Sequence, residues 1–365
     1  MSVSPSQQAE FATPVIDWYR QHGRKTLPWQ LDKTAYRVWL SEIMLQQTQV
    51  ATVIPYYHAF LKSFPTIKVL ADASIDKVLQ HWQGLGYYAR ARNLHRAAQI
   101  MRDRHDAQFP LNIDQVMALP GIGRSTAGAI LTFACAQSWP ILDGNVKRVL
   151  ARCFEVEGWY GQSRTLKRLW QLTEQLTPVA QTDDYNQAMM DLGAMVCLKS
   201  NPQCEICPIT DYCQSWQHNS QASFPQKKPA RSKPQKQTLM LLHRYQDCVL
   251  LYRRPPTGIW GGLWSLPEVG SKDDISAWQL GHLVCTRLPD QIKTNILRHQ
   301  FTHYILDISL AVIDLDELPG KISDQQTMAF VANMELPNYG LPTPVRKLLA
   351  MEINSGSRAE MTVEL

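Results

Sequence analysis

Four of the eight cysteines in this 365-residue chain fall in one short stretch, at Cys197, Cys204, Cys207 and Cys213, with the spacing C-x6-C-x2-C-x5-C. Thiolates this close in sequence converge on one metal centre if the chain folds tightly around it, and Asn201-Pro202 and Pro208 supply the turns. Structural zinc also takes four cysteines, usually as two C-x2-C knuckles. Only one pair here has that spacing. A cubane cluster, in which each iron takes one thiolate, suits the uneven remainder better. The spacing therefore favours a 4Fe–4S cluster, with zinc as the alternative. Cys135, Cys153, Cys248 and Cys285 are scattered, and an intracellular chain has no reason to pair them as disulfides.

A second constellation lies upstream. Leu119-Pro-Gly-Ile-Gly-Arg-Ser-Thr-Ala-Gly-Ala-Ile places Gly121 and Gly123 in a tight turn ahead of an amphipathic helix, with Ser125 and Thr126 near its start. Glycines let backbone N–H groups approach an anion, and a helix N-terminus adds positive potential. That combination grips a DNA phosphate without reading sequence. An ordinary helix–turn–helix corner would look the same. Twenty residues after the second glycine, Asp143 follows an apolar stretch and precedes a helix carrying Lys147 and Arg148. Taken alone, Asp143 reads as a helix N-cap.

The elements that position these groups change character along the chain. From Thr13 to about Ala194 the pattern is helical, with Tyr36, Trp39, Leu40, Ile43 and Met44 on one face. Similar amphipathic runs are expected at Ile75–Trp82, Ala89–Met101, Thr126–Ala134 and Asn186–Val196. Three prolines and five basic residues mark residues 224–236 as an extended linker, either a solvated spacer or a DNA contact. Beyond it, residues 238–252 predict two strands, residues 301–313 another, and residues 343–353 a closing helix. The expected division is a helical region 1–224, a linker 225–237, an α+β domain 238–350 and a tail 351–365, with the hairpin at about 117–134. A net charge of +5 is compatible with nucleic acid without requiring it. No apolar run reaches 18 residues, and the N-terminus lacks a secretory pattern, so the expected setting is cytoplasmic, away from any membrane.

Leu-Pro-Gly-Ile-Gly, Asp143 and the cysteine spacing occur in the order found in the helix-hairpin-helix DNA glycosylase superfamily, and the chain resembles its endonuclease III-like branch over residues 13–215. The blocks Leu27-Pro-Trp, Trp39 to Val50 and Gly84 to Leu94 are similar to the adenine glycosylase (MutY) family within it. This resemblance implies an all-helical, two-lobed catalytic region with an iron–sulfur cluster held by the four cysteines. It implies Glu42 as the acid that protonates adenine at N7, and Asp143 as the group that stabilises the sugar cation. Without it, Glu42 reads as a surface glutamate. With Glu42 on an apolar helix face, desolvation is expected to raise its pKa.

The resemblance further implies that Gln187 lines the adenine pocket, and that Gln47, Thr48, Leu85 and Tyr87 fill the duplex and touch the opposite base. Where the superfamily's lyases carry a hairpin lysine, this chain has Ser125, whose hydroxyl cannot form a Schiff base. Base removal without efficient strand cleavage is expected, with Lys147 leaving a slow lyase step open. Arg253 to Pro267 resembles the family's Nudix-like C-terminal domain. No R-E-x-x-E-E run lies between Leu266 and Leu310, which opposes nucleotide hydrolysis. The family's Phe-Ser-His loop, which meets oxidised guanine, corresponds to Phe301-Thr302-His303; threonine keeps the hydroxyl and adds a methyl. The implied partner is double-stranded DNA with A·8-oxoguanine or A·G mispairs, bound by a monomer on the nucleoid. An endonuclease III-type lyase and a non-catalytic, cluster-bearing DNA-binding or electron-transfer protein are the rivals.

Overall fold

The structure is a computed structural model that describes residues 5–229, 232–283, 287–319 and 327–359. Cys285, two residues of the expected linker and the last six of the expected tail lie outside these. The chain forms two compact units, one of residues 1–72 and 93–230, the other of residues 73–92 and 231–365. The segment Ala73–Arg92 thus groups with the C-terminal part, although the sequence reading assigned it to the helical region.

The first unit is helical, as its periodicity predicts. The Ala35–Leu45 helix starts at Thr34, whose side chain caps Arg37 N–H, and its apolar stripe buries Trp39, Leu40, Ile43 and Met44. It packs on the Arg124–Cys135 helix. Tyr57, Phe60 and Phe64 are also fully buried, and Tyr36 donates from its hydroxyl to the Phe64 carbonyl at 2.5 Å. Each such ring removes on the order of 200 Å² from water, worth at most about 5 kcal/mol. A second core joins Pro5–His22, Gly144–Cys153, Ser163–Leu176 and Thr182–Met195 through Val15, Leu150, Leu169 and Leu192. Gly193 lets two of these helices touch, since a Cβ there would lie 2.6 Å from that of Asn145.

The described residues of the second unit form a seven-stranded sheet. Its strands are β1 (Gln235–Tyr245), β2 (Cys248–Arg253), β3 (Trp264–Ser265), β4 (Glu268–Val269), β5 (Gln291–Gln300), β6 (Ile305–Asp314) and β7 (Met328–Ala332). The path runs β3-β2-β1-β6-β5, with β4 added to β1 and β7 to β2. Among the described residues only β1 and β6 pair in parallel, from Gln235 with Ile305 to Arg244 with Asp314. Met240, Leu242, Leu306, Ile308 and Leu310 form its core under the closing helix Thr343–Ala359.

The expected hairpin around residue 246 is present, with β1 beginning inside the expected linker. The single strand expected over 301–313 is corrected. Phe301 N–H donates to the Tyr304 carbonyl at 2.9 Å, which closes a turn, and β6 begins only at Ile305. The partner strand β5 is polar and lies at the sheet edge, where burial does not impose an apolar pattern.

Candidate active site

Glu42 and Asp143 line one cleft of about 1020 Å³ in the first unit. Asp143 reaches it from the start of the Gly144–Cys153 helix. There it is the N-cap that the sequence predicts, accepting Val146 N–H at 2.7 Å and the Asn145 amide at 3.0 Å. Capping leaves its carboxylate at the positive end of the helix while the rest of the group borders the cleft. Burial pushes Asp143 up, against these hydrogen bonds and the Arg148 charge, which pull it down.

Glu42 sits in the last turn of its helix, between buried Ser41 and Ile43. Burial first, and the negative charge of Asp143 second, push its carboxyl up from the ordinary 4.5 to about 8. The two acids divide by environment. Asp143 has hydrogen bonds that favour its charged form and offset part of the burial that raises it. Glu42 has burial and a neighbouring negative charge acting together, and keeps its proton at neutral pH.

The hairpin stands beside them. Gly121 has φ +80°, and a Cβ would meet that of Asn93 at 2.9 Å, so no other residue fits without strain. Gly123 caps the Arg124–Cys135 helix, and the space where its Cβ would stand is open, as backbone contact with a phosphate requires. Ser125 borders the cleft and accepts Leu142 N–H at 3.1 Å, tying the hairpin to the strand of chain that delivers Asp143. Lys147 is half-buried, which lowers its pKa, and its ammonium stands 5.8 Å from the Tyr160 ring centre.

Gln187, Gln47 and Thr48 line the same cleft. Gln47 is exposed and takes a left-handed φ of +59°, which ends its helix and turns the chain across the mouth. One network there had no signal in the sequence. Asp191 is fully buried and accepts Arg24 at 2.6 and 3.0 Å, the Arg24 backbone N–H at 2.7 Å, and the Gln187 amide at 2.9 Å. A carboxylate can only accept, so the amide nitrogen of Gln187 must face it and the amide oxygen faces away. Arg24 and Asp191 are 167 residues apart, beyond the reach of any local pattern.

The four cysteines border a common cavity with Val149, Val196 and Ile209. Its donor set is all thiol, and four thiolates fit a four-iron cluster, one to each iron. Arg152 donates to Cys197 Sγ at 3.3 Å and to carbonyls of Leu198, Lys199, Gln221 and Phe224. One turn earlier, Arg148 donates to the Cys197 carbonyl at 2.7 Å and to Asn145 Oδ1 at 2.9 Å. The helix that presents Asp143 is therefore moored to the cysteine loop.

Leu85, Tyr87, Phe301, Thr302 and His303 belong to the second unit. Leu85 is buried and Tyr87 is exposed, at φ +50°. Thr302 and His303 are exposed on the β5–β6 turn, 3.3 Å apart between Oγ1 and Nδ1.

An all-α unit with a hairpin-helix, two cleft carboxylates and a thiol-lined cavity defines a helix-hairpin-helix base-excision enzyme. Residues 40–175 match the HhH-GPD superfamily of base excision DNA repair proteins, 197–213 the iron–sulfur binding domain of endonuclease III, and 238–351 the NUDIX domain. In three dimensions the chain is similar to a thermostable thymine-DNA glycosylase, with a TM-score of 0.52 and 23% identity over 58% of this chain and 98% of that one. In sequence it is 39% identical to an adenine DNA glycosylase of Buchnera aphidicola subsp. Baizongia pistaciae, over 93% of this chain and 95% of that protein. It is 34% identical to the human adenine DNA glycosylase over 71% of this chain and 57% of that protein. The chain belongs to the adenine DNA glycosylase family, binds DNA and carries an iron–sulfur cluster. No helix among the described residues is long and apolar enough to cross a membrane.

Proposed function

We propose that this enzyme excises adenine paired with 8-oxoguanine, and with guanine, using Glu42 as general acid and Asp143 as the charge-stabilising carboxylate. The observation that carries the reading is Glu42 itself, with its carboxyl held protonated to about pH 8 beside hydrogen-bonded Asp143 in one cleft. Adenine leaves poorly as an anion, so N7 must take a proton as the C1′–N9 bond breaks. A base flipped out of the duplex brings N7 within reach of such an acid. The sugar then becomes an oxocarbenium ion, and a carboxylate already oriented by Val146 and Asn145 meets it without further reorganisation. Glu42, now ionised, takes a proton from the attacking water.

Gln187 presents its amide oxygen to the base, where it can accept from the exocyclic amine. Gly121 and Gly123 hold a phosphate, and Gln47, Thr48, Leu85 and Tyr87 fill the space the base leaves. Cys197, Cys204, Cys207 and Cys213 ligate the cluster, which braces the Asp143 helix through Arg148 and Arg152. Ser125 in place of an amine leaves base release uncoupled from strand cleavage. Because adenine is a normal base, its partner must be read elsewhere, and the Phe301-Thr302-His303 turn is the reader.

Single-turnover excision from A·8-oxoguanine and A·G duplexes tests this. Wild type releases adenine from both and faster from the first, and Glu42→Gln loses at least about a hundredfold while keeping its affinity for DNA. Unchanged release by Glu42→Gln would remove Glu42 from the acid role.

A further inference from the structure

The segment Gly258–Leu263 occupies an unusual position within the second unit. Trp260 has φ +54°, between Gly258 at +84° and Gly262 at +74°. Glycine takes this backbone freely, but a bulky side chain does so only where its surroundings over-determine it. On one side those surroundings are the β5–β6 turn. The Trp260 ring lies 5.3 Å from Phe301 and 5.8 Å from His299, and the Arg254 guanidinium stands 5.7 Å from its centre. Arg254 is itself fixed by Glu268 and by the Ile259 carbonyl at 3.0 Å. Phe301 packs on Tyr304 at 4.6 Å and roots the turn, and Lys233 donates to its carbonyl at 2.9 Å. Only Thr302 and His303 project.

On the other side the surroundings are the segment Ala73–Arg92. The Gly261 carbonyl accepts from Arg92, and a Cβ on Gly262 would stand 3.5 Å from Arg92 Cδ. Arg92 follows Arg90 on the same helix, Ala89–Arg104. Arg90 donates to the carbonyls of Leu85 and Gly86 at 3.2 and 3.0 Å, and its guanidinium stands 5.5 Å from the Tyr87 ring centre. An ion pair between Arg253 and Asp76 at 3.1 Å and a bond from Gln80 to the Pro337 carbonyl clamp the segment further. One rigid helix thus holds Tyr87 through Arg90 and, two residues on, the Gly261 backbone through Arg92, and Trp260 next to Gly261 packs on Phe301.

We propose that Arg92 and Trp260 are positioning residues that lock the Leu85–Tyr87 loop and the Phe301–His303 turn into one reader of the base opposite adenine. The inference rests on the reading that this turn meets 8-oxoguanine. Guanine and 8-oxoguanine differ only at C8 and N7, where one gains an oxygen and a hydrogen. Distinguishing them through a hydrogen bond requires an acceptor fixed to within about half an ångström, which exposed Thr302 and His303 cannot achieve alone.

The test measures duplex dissociation constants and single-turnover excision on A·8-oxoguanine and A·G, for the full-length enzyme. The variants are Arg92→Met, which keeps the methylenes along Gly262, Trp260→Leu, their double, and the conservative Trp260→Phe. In each of the first two, the affinity preference for 8-oxoguanine over guanine falls about tenfold, and the double is no worse than the weaker single because the two act in series. Excision from A·G at saturating enzyme changes less than about twofold, and Trp260→Phe retains most of the preference. Equal losses on both duplexes, or a preference kept by Arg92→Met, would overturn the proposal. If Trp260→Leu does not fold, Arg92→Met decides. A wild-type enzyme with no preference refutes the reading of the turn itself, and that is seen before any variant is compared.

Discussion

Glu42 and Asp143 are the same functional group placed in two environments, and the difference between them is the chemistry of the site. Glu42 binds its proton up to about pH 8 and Asp143 acts ionised, so excision should fall with pH above 8 and fall again on the acid side as Asp143 takes up a proton, with the alkaline limb missing from the residual activity of Glu42→Gln. The same shift bears on stability. A carboxyl whose folded pKa is raised contributes fully below its unfolded value near 4.5 and loses that contribution as pH rises through 8. Glu42→Gln should therefore unfold at progressively higher temperature than wild type between pH 5.5 and 9, and a constant offset across that range would contradict the assignment. Asp143 carries two roles that can be separated. Asparagine caps a helix as well as aspartate does, so Asp143→Asn should abolish excision while changing stability by under about 0.5 kcal/mol. Asp143→Ala should cost about 1 kcal/mol more, read as a lower unfolding midpoint.

At the scale of elements, the local patterns carried far. The cap at Asp143, the hairpin turn at Gly121 and the cysteine spacing each follow from residue types a few positions apart, and each was legible. Gly121→Ala should lower stability by more than about 1 kcal/mol, because φ +80° and the Asn93 side chain both oppose a Cβ. A thermal midpoint equal to wild type would show that the turn can open instead. What stayed hidden is what distance in sequence hides. The Arg24–Asp191–Gln187 network and the Arg152 bonds to the cysteine loop join segments that no periodicity connects. The polar strand β5 carries no apolar alternation, since an edge strand needs none. Glu42 looked exposed for a related reason, because Asp143, which shares its cleft, lies far along the sequence.

At the scale of the molecule, the two compact units do not follow the order of the sequence. Ala73–Arg92 is bound into the C-terminal unit through Asp76, Leu79, Gln80 and Arg92. Deleting residues 238–365 removes the partners of that face as well as the β5–β6 turn. The truncated enzyme should lose its preference for 8-oxoguanine over guanine, while excision from A·G at saturating enzyme falls less. Equal losses on the two duplexes would refute that division of labour. The central claim is that one cleft, with Glu42 and Asp143 in it, removes adenine opposite an oxidised guanine and leaves the strand intact. Incubating the enzyme with duplexes containing A·8-oxoguanine, A·T and thymine glycol tests it most directly. Adenine release from the first, with A·T and thymine glycol untouched, is the predicted result, and strand cleavage at thymine glycol would contradict it.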